Sequence, residues 1–237
     1  MSAAALAGVV ITLALGQWQL GRASEKQSLQ AAIDGQARKP ALTGADVSAS
    51  TALTDVIHRQ ARLQGQWLTE GTVYLDNRQM AGRPGFFVLT PLRLTGSNTL
   101  VMVQRGWAPR DFMDRNRLPD VVTPEGQVNI QVRMAPPPSK LYDFQGAPTG
   151  PIRQNIDLAV YAAESRLPLL TQLSALELAP AAGTPSDGLL RNWPAFNTGI
   201  DKHHGYAFQW FGLSGLIALL YVWFQIIQPR RQRHASA

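Results

Sequence analysis

The chain has 237 residues, 45% of them hydrophobic and 16% charged, a composition that excludes wholesale disorder and allows one large domain or two small ones. It contains no cysteine, which excludes disulfides, thiolate metal sites, iron–sulfur ligation and covalent haem attachment through CxxCH. The net charge of +6 comes mostly from arginine spread along the chain, with no basic stripe interleaved with aromatics, so no nucleic-acid partner is expected.

The first predicted element is the apolar run "AAALAGVVITLALGQWQL" at 3–20, with no charge before Arg22. At ~1.5 Å per residue it is long enough to cross a hydrocarbon core of ~30 Å, which assigns residues 1–21 to a transmembrane helix in the lipid bilayer. A cleaved signal peptide is the rival reading. The run lacks a basic leading region and continues through Gln17, Trp18 and Gln19 where a small-residue cleavage site would fall, so an uncleaved anchor with Trp18 at the interface is expected. No long arginine-rich transit peptide precedes it, which favours a bacterium over a mitochondrial precursor. Small residues recur every four positions at Ala4, Gly8, Thr12 and Gly16, and again at Ser214 and Ala218. Such spacing lets two membrane helices approach closely, although an alanine-rich anchor shows it without a partner. The segment "SEKQSLQAAID" (24–34) continues as helix beyond the apolar run.

The middle of the chain, residues 22–205, reads as a β-rich domain with short helices. Thr72–Asp76, Gly85–Leu94, Thr99–Trp107 and Val128–Met134 are rich in Val, Ile, Thr and aromatics and are bounded by Gly, Pro and Asn. "TGSN" at 95–98 predicts an antiparallel hairpin between the second and third of these. "VNIQVRM" alternates, with Val128, Ile130, Val132 and Met134 on one face, as a half-buried strand does. A helix is predicted over 157–166 with Asp157 as its N-cap, and "APPPSK" (135–140) and "APAAGTPSDG" (179–188) are predicted loops.

A second apolar run, "YAFQWFGLSGLIALLYVWFQII" at 206–227, has no charged residue and is followed by arginines at 230, 231 and 233 in a basic tail, 228–237. Lys and Arg flanking a span favour the cytoplasmic side. Both termini are therefore expected in the cytoplasm and the domain between the spans in the periplasm, with Arg22 and Lys26 arguing mildly the other way. The fold class that follows is an α+β membrane protein, with two transmembrane helices flanking a β-rich periplasmic domain.

Recognised hydrolytic and nucleotide-binding signatures are absent: there is no GxSxG, HExxH, Walker loop or GxGxxG. Asp76 with Asp111 or Asp114 is a conceivable carboxylate pair, but Arg78, Arg105 and Arg110 are close in sequence and pair such acids in strand-end loops. The methionines at 1, 80, 102, 113 and 134 are scattered, without the clustering that Cu(I) prefers, and read as strand and core residues.

The four histidines are His58, His203, His204 and His234. If a helix begins near Asp201 as its cap, His203 falls in the first turn at the outer membrane boundary, where the positive end of the helix dipole favours the neutral ring that ligates iron. His203, Tyr206, Ala207, Trp210 and Ser214 then share a face, while His204 points roughly 100° away. That face offers a nitrogen ligand, flat aromatics and two small residues, which suits an apolar planar macrocycle with its iron on His203. Histidine and aromatics at a membrane boundary also form an ordinary interfacial belt.

The segments "GQWQLGRASEK" (16–26), "YLDNRQMAGRPGFFVLTPLRL" (74–94), "LVMVQRGWAPRD" (100–111), "PIRQNIDLAVYA" (151–162) and "DGLLRNWPAFNTGIDKHHGYAFQWFGLS" (187–214) together resemble the surfeit locus protein one family, in the family's order from end to end. The resemblance implies a bacterial inner-membrane assembly factor for haem–copper terminal oxidases such as cytochrome c oxidase, not an enzyme in its own right. It implies binding of haem a as transient cargo, with cytochrome c oxidase subunit I and the haem a synthesis machinery as partners. The family's haem-associated histidine, three residues before the Tyr-Ala that opens the second span, corresponds to His203, the expected axial ligand to the haem iron, and its tryptophan to Trp210; Tyr206 would help shape the site. The chain departs from the common pattern at Gln104, where Asn is usual, and at His204, where Leu is usual; on that count either histidine can act. A structural scaffold that holds oxidase subunits without touching haem is the alternative, and the "LDNR" and "QRGW" strand ends are candidate docking surfaces.

Overall fold

The computed structural model describes residues 2–50, 52–114, 117–142, 150–180, 186–193 and 199–229. The arginines of the basic tail at 230–237, His234 and the centre of the 179–188 loop lie outside the described residues. The elements begin with helix α1 (Ser2–Ala37), strand β1 (Leu42–Thr43), helix α2 (Gly44–Ala49) and strands β2 (Gln60–Trp67), β3 (Val73–Met80), β4 (Arg83–Leu94) and β5 (Leu100–Pro109). They continue with β6 (Gln127–Ala135), β7 (Ile152–Arg153), helix α3 (Leu158–Ser165), β8 (Ser174–Glu177) and helix α4 (Ile200–Val222), which runs into a π-helical turn, Trp223–Ile227. Two units result: Met1–Ala32 with Pro194–Ala237, and Ile33–Trp193.

In the helical unit α1 and α4 run antiparallel. Ser2 meets Tyr221, Gly8 meets Ile217, Gly16 meets Phe211 and Gln19 meets His203, so positions that advance along one helix retreat along the other. Gly16 permits the approach, because a Cβ there would fall 2.6 Å from the Phe211 ring. The Thr12 hydroxyl, buried in the same seam, donates to Gly8 O at 2.8 Å and to Val9 O at 3.0 Å, so it is satisfied within its own helix. The small-residue stripe is thus a contact line at Gly8, Thr12, Gly16 and Ser214. Ala4 and Ala218 fall off it and are exposed, because a helix of 3.6 residues per turn drifts away from a strict four-residue repeat. The opposite faces present Leu6, Val10, Ile11, Phe208, Leu219 and Phe224 outward, an apolar surface suited to lipid. Both helices, 36 and 28 residues with the π-turn, are long and apolar enough to cross a membrane.

The second unit is built on a closed ring of strands in the order β2-β6-β8-β5-β4, completed where β4 returns to β2 at Gly65↔Leu94, Gln66↔Arg93 and Trp67↔Leu92. Gly65 makes this closure possible, since a Cβ there would lie 2.2 Å from Arg93 O. β3 and β7 extend the sheet beyond β4, and β1 lies parallel to the start of β2. Leu63, Leu92, Leu94, Val101, Val103, Val132, Met134 and Ala175 fill one core. A second core on the other side of β5 gathers Leu75, Leu89, Leu100, Met102 and the α3 residues Leu158 and Tyr161. β5 is therefore buried on both faces, which is why Leu100–Val103 are apolar at every position and do not alternate.

The four strands expected from sequence correspond to β3, β4, β5 and β6, and β4 and β5 pair antiparallel across the 95–98 turn. Asp157 caps α3, its Oδ1 accepting from the N–H groups of Ala159 (3.0 Å) and Val160 (3.4 Å). Two barrel strands carry no propensity signal. β2, "QARLQGQW", has a clean inward alternation of Ala61, Leu63, Gly65 and Trp67 but no β-branched residue, and β8 has only four residues. The two long apolar helices and the β-rich domain between them in sequence make this a membrane protein of α+β class.

Candidate functional site

His203 lies in the first turn of α4, half-buried. The cap of that helix is Gly199, at φ +95°, and not Asp201. A left-handed backbone suits glycine, and Asp201 is the second residue of the helix, in the first turn, where its charge complements the helix dipole. The His203 N–H reaches Gly199 O at 3.3 Å. The ring is held from α1: His203 Nδ1 is 2.8 Å from Gln19 Oε1. A carbonyl oxygen only accepts, so this contact is a hydrogen bond in the tautomer with the hydrogen on Nδ1, which leaves the Nε2 lone pair free; Nε2 is bonded to no described residue.

His204 is exposed and turned elsewhere, its Nε2 3.4 Å from the Gln27 amide nitrogen on α1. Of the face expected around His203, Ala207 and Ser214 are buried on the α1 side, where Ser214 Oγ reaches Val9 O at 3.5 Å. The small residues are therefore occupied by helix packing. Tyr206, about half exposed, and the partly buried Trp210 supply the accessible aromatic surface.

The barrel uses its polar residues differently. In "QRGW" the pairing of β5 with β4 skips Arg105, since Val88 faces Gly106 while Leu89 faces Gln104; this bulge turns the guanidinium inward. Arg105 is 2% exposed. It donates to Thr123 Oγ1 (2.6 Å) and Val122 O (2.9 Å), lies 4.9 Å from the Trp67 ring centroid and is 3.5 Å from Asp187. Gln104 donates to Ser174 Oγ at 3.0 Å. Gly106 admits Leu189, which a Cβ would meet at 2.7 Å, and buried Trp107 donates its indole N–H to Arg78 O at 2.9 Å. "QRGW" is therefore interior and offers no docking surface; Arg78 of "LDNR" is buried too, donating to Gln154 O.

Arg191 completes the buried charge cluster, bonding Asp187 and, at 3.0 Å, Glu177. Burial pushes the Glu177 carboxyl up to about 7, against the pull of Arg191 and Arg105, and its Oε2 has no partner among the described residues. Asp187 is less buried; there the hydrogen bond and charge of Arg191 outweigh burial and hold the carboxyl below its usual range.

Asp76 is 3.5 Å from Arg110, and Asp111 accepts from the N–H groups of Met113 and Asp114, which lowers its pKa. His58, at φ +68°, anchors its backbone N–H on Met134 O. Met80, Met102 and Met134 are core residues as expected, but Met113 is almost fully exposed, because it sits in the turn after β5 and not in a strand. Among the described residues no three His, Asp or Glu side chains gather as ligands for a bare metal ion.

The family described as the SURF1 family matches residues 6–215. A SURF1-like protein of Rickettsia felis is 25% identical over 218 residues, covering 90% of this chain and 91% of that protein. A SURF1-like protein of Rickettsia bellii is 25% identical over 217 residues, 90% of this chain and 85% of that one. A yeast protein of Saccharomyces cerevisiae named cytochrome oxidase assembly protein SHY1 is 24% identical over 144 residues, 60% of this chain and 37% of its own. With most of the first span, the whole barrel and the first half of the second span inside the matched region, the chain belongs to the SURF1 family.

Proposed function

We propose that this chain is an assembly factor for cytochrome c oxidase that binds haem a at the outer end of its helix pair and helps deliver it to subunit I. The oxidase role rests on family membership and on the yeast relative's name. The observation that carries the haem reading is His203: a half-buried imidazole held through Nδ1 by Gln19, with the Nε2 lone pair uncommitted and Tyr206 and Trp210 beside it. A single imidazole with adjacent aromatic surface fits an iron macrocycle, which brings its other four nitrogen ligands with it. His203 would supply the axial nitrogen, and Tyr206 and Trp210 would contact the ring. Haem a supplies the redox iron that the oxidase needs; this chain's residues hold and orient it and perform no reaction of their own.

The barrel would face the periplasm of a bacterial inner membrane, with both termini in the cytoplasm, because the arginines at 230, 231 and 233 follow the second span directly. Haem a synthesis machinery would be the donor and subunit I the acceptor. Complementing a strain that lacks this chain with wild type, His203→Ala or His204→Ala tests the reading, with haem a measured per oxidase complex. Oxidase subunits assembled but poor in haem a with His203→Ala, and normal with His204→Ala, is the expected result. Normal haem a content with His203→Ala would leave the scaffold role in its place.

A further inference from the structure

The two adjacent histidines are each approached by a glutamine of α1, through opposite ends of the amide. Gln19 presents its carbonyl oxygen to His203 Nδ1 at 2.8 Å, and Gln27 presents its amide nitrogen to His204 Nε2 at 3.4 Å. An amide NH2 only donates, so His204 Nε2 is the acceptor there and its lone pair is engaged, though by a long bond. A carbonyl only accepts, so His203 Nδ1 is the donor and its Nε2 lone pair stays open. The neighbour on the other helix thereby adds a chemical distinction between two histidines that the sequence separates only by helical face and register.

We propose that Gln19 is a positioning residue: it fixes the tautomer and orientation of His203 so that Nε2 is the nitrogen offered to iron, while Gln27 occupies the corresponding nitrogen of His204. This rests on the haem reading above. The hydrogen bond on the far nitrogen of a metal-binding histidine sets which nitrogen is free and raises its basicity. The packing that brings the pair together is the α1–α4 seam, in which Gly16 lies one turn before Gln19 and admits the Phe211 ring.

The test uses the full-length chain in detergent, labelled with 15N-histidine and free of haem, at about pH 8, above the ordinary histidine range. Long-range 1H–15N correlations read which ring nitrogen of His203 is protonated. The expected result is hydrogen on Nδ1 in wild type, retained in Gln19→Glu, which keeps an acceptor, and redistributed toward Nε2 in Gln19→Leu. Hydrogen on Nε2 in wild type, or an unchanged pattern in Gln19→Leu, overturns the positioning role. Titration with ferric protoporphyrin IX gives the second readout. Gln19→Leu should weaken binding on the order of 10-fold or more, with Gln19→Glu close to wild type. Equal affinity in Gln19→Leu and wild type overturns the role even if the tautomer shifts. Undiminished binding by His203→Ala would instead overturn the haem reading, and the nitrogen spectrum would still decide whether Gln19 holds the ring.

Discussion

The barrel and the helix pair spend their polar side chains in opposite ways. In the barrel, Arg105, Asp187, Arg191 and Glu177 turn toward one another, Gln104 reaches Ser174, and Trp107 closes onto Arg78. At the end of the helix pair, His203 is held by one nitrogen and open at the other, beside aromatic surface that the fold leaves partly uncovered. A distinctive motif in a strand is thus no sign of a binding site: "QRGW" is distinctive because a bulge, a close approach and a buried indole each demand their residue. The end of the helix pair combines restraint with spare bonding capacity, and the proposed haem site rests on that combination.

The comparison is broken most forcefully at Trp107. Trp107→Ala removes a fully buried side chain and the bond to Arg78 O, and should cost about 3–5 kcal/mol in denaturant unfolding of the barrel. Changing the buried charges sharpens the same point through pH. The folded Glu177 carboxyl is pushed up to about 7 from an ordinary 4.5, so the folded state keeps a proton that the unfolded chain has released. Its contribution to stability is full below 4.5 and is lost as pH rises through 7, a change of roughly 3 kcal/mol between these limits. Glu177→Gln should flatten stability between pH 5 and 8; an unaltered slope would show that another group carries it. Asp187 acts in the opposite sense, its contribution fading only as pH falls below the ordinary carboxylate range.

In the helix pair, Gly16→Leu forces a side chain into the Phe211 ring and should weaken the α1–α4 contact by about 1–3 kcal/mol. Because the chain has no cysteine, a Ser2→Cys, Tyr221→Cys pair reports this cleanly through a short bismaleimide that spans the space left by the tyrosine ring: crosslinking should be efficient in the parent and reduced by Gly16→Leu. The smallest effect belongs to Tyr161→Phe in the barrel unit. It removes the 2.7 Å bond to Gly71 O and should lower stability by about 1 kcal/mol in the same unfolding measurement.

Much of this architecture was legible in the sequence, for reasons that differ by region. The spans announced themselves as uncharged apolar runs, and β3 to β6 by their β-branched and aromatic residues. β2 escaped notice because Ala61, Leu63, Gly65 and Trp67 alternate without strand propensity, and the bulge at Arg105 because nothing local distinguishes it from a regular strand residue. His203, Tyr206 and Trp210 could be placed on one helix by counting. The hold of Gln19 on His203 could not, since the two residues are 184 apart in sequence and meet only through the register of two packed helices.

The central proposal, that His203 at the end of the helix pair holds haem a, is tested most directly by absorption spectra. The full-length chain is purified from cells making haem a, as wild type and as His203→Ala, and the haem a absorbance per protein is compared. Haem a on the wild type and its loss from a folded His203→Ala protein is the predicted result; equal haem on both, or none on the wild type, would contradict it.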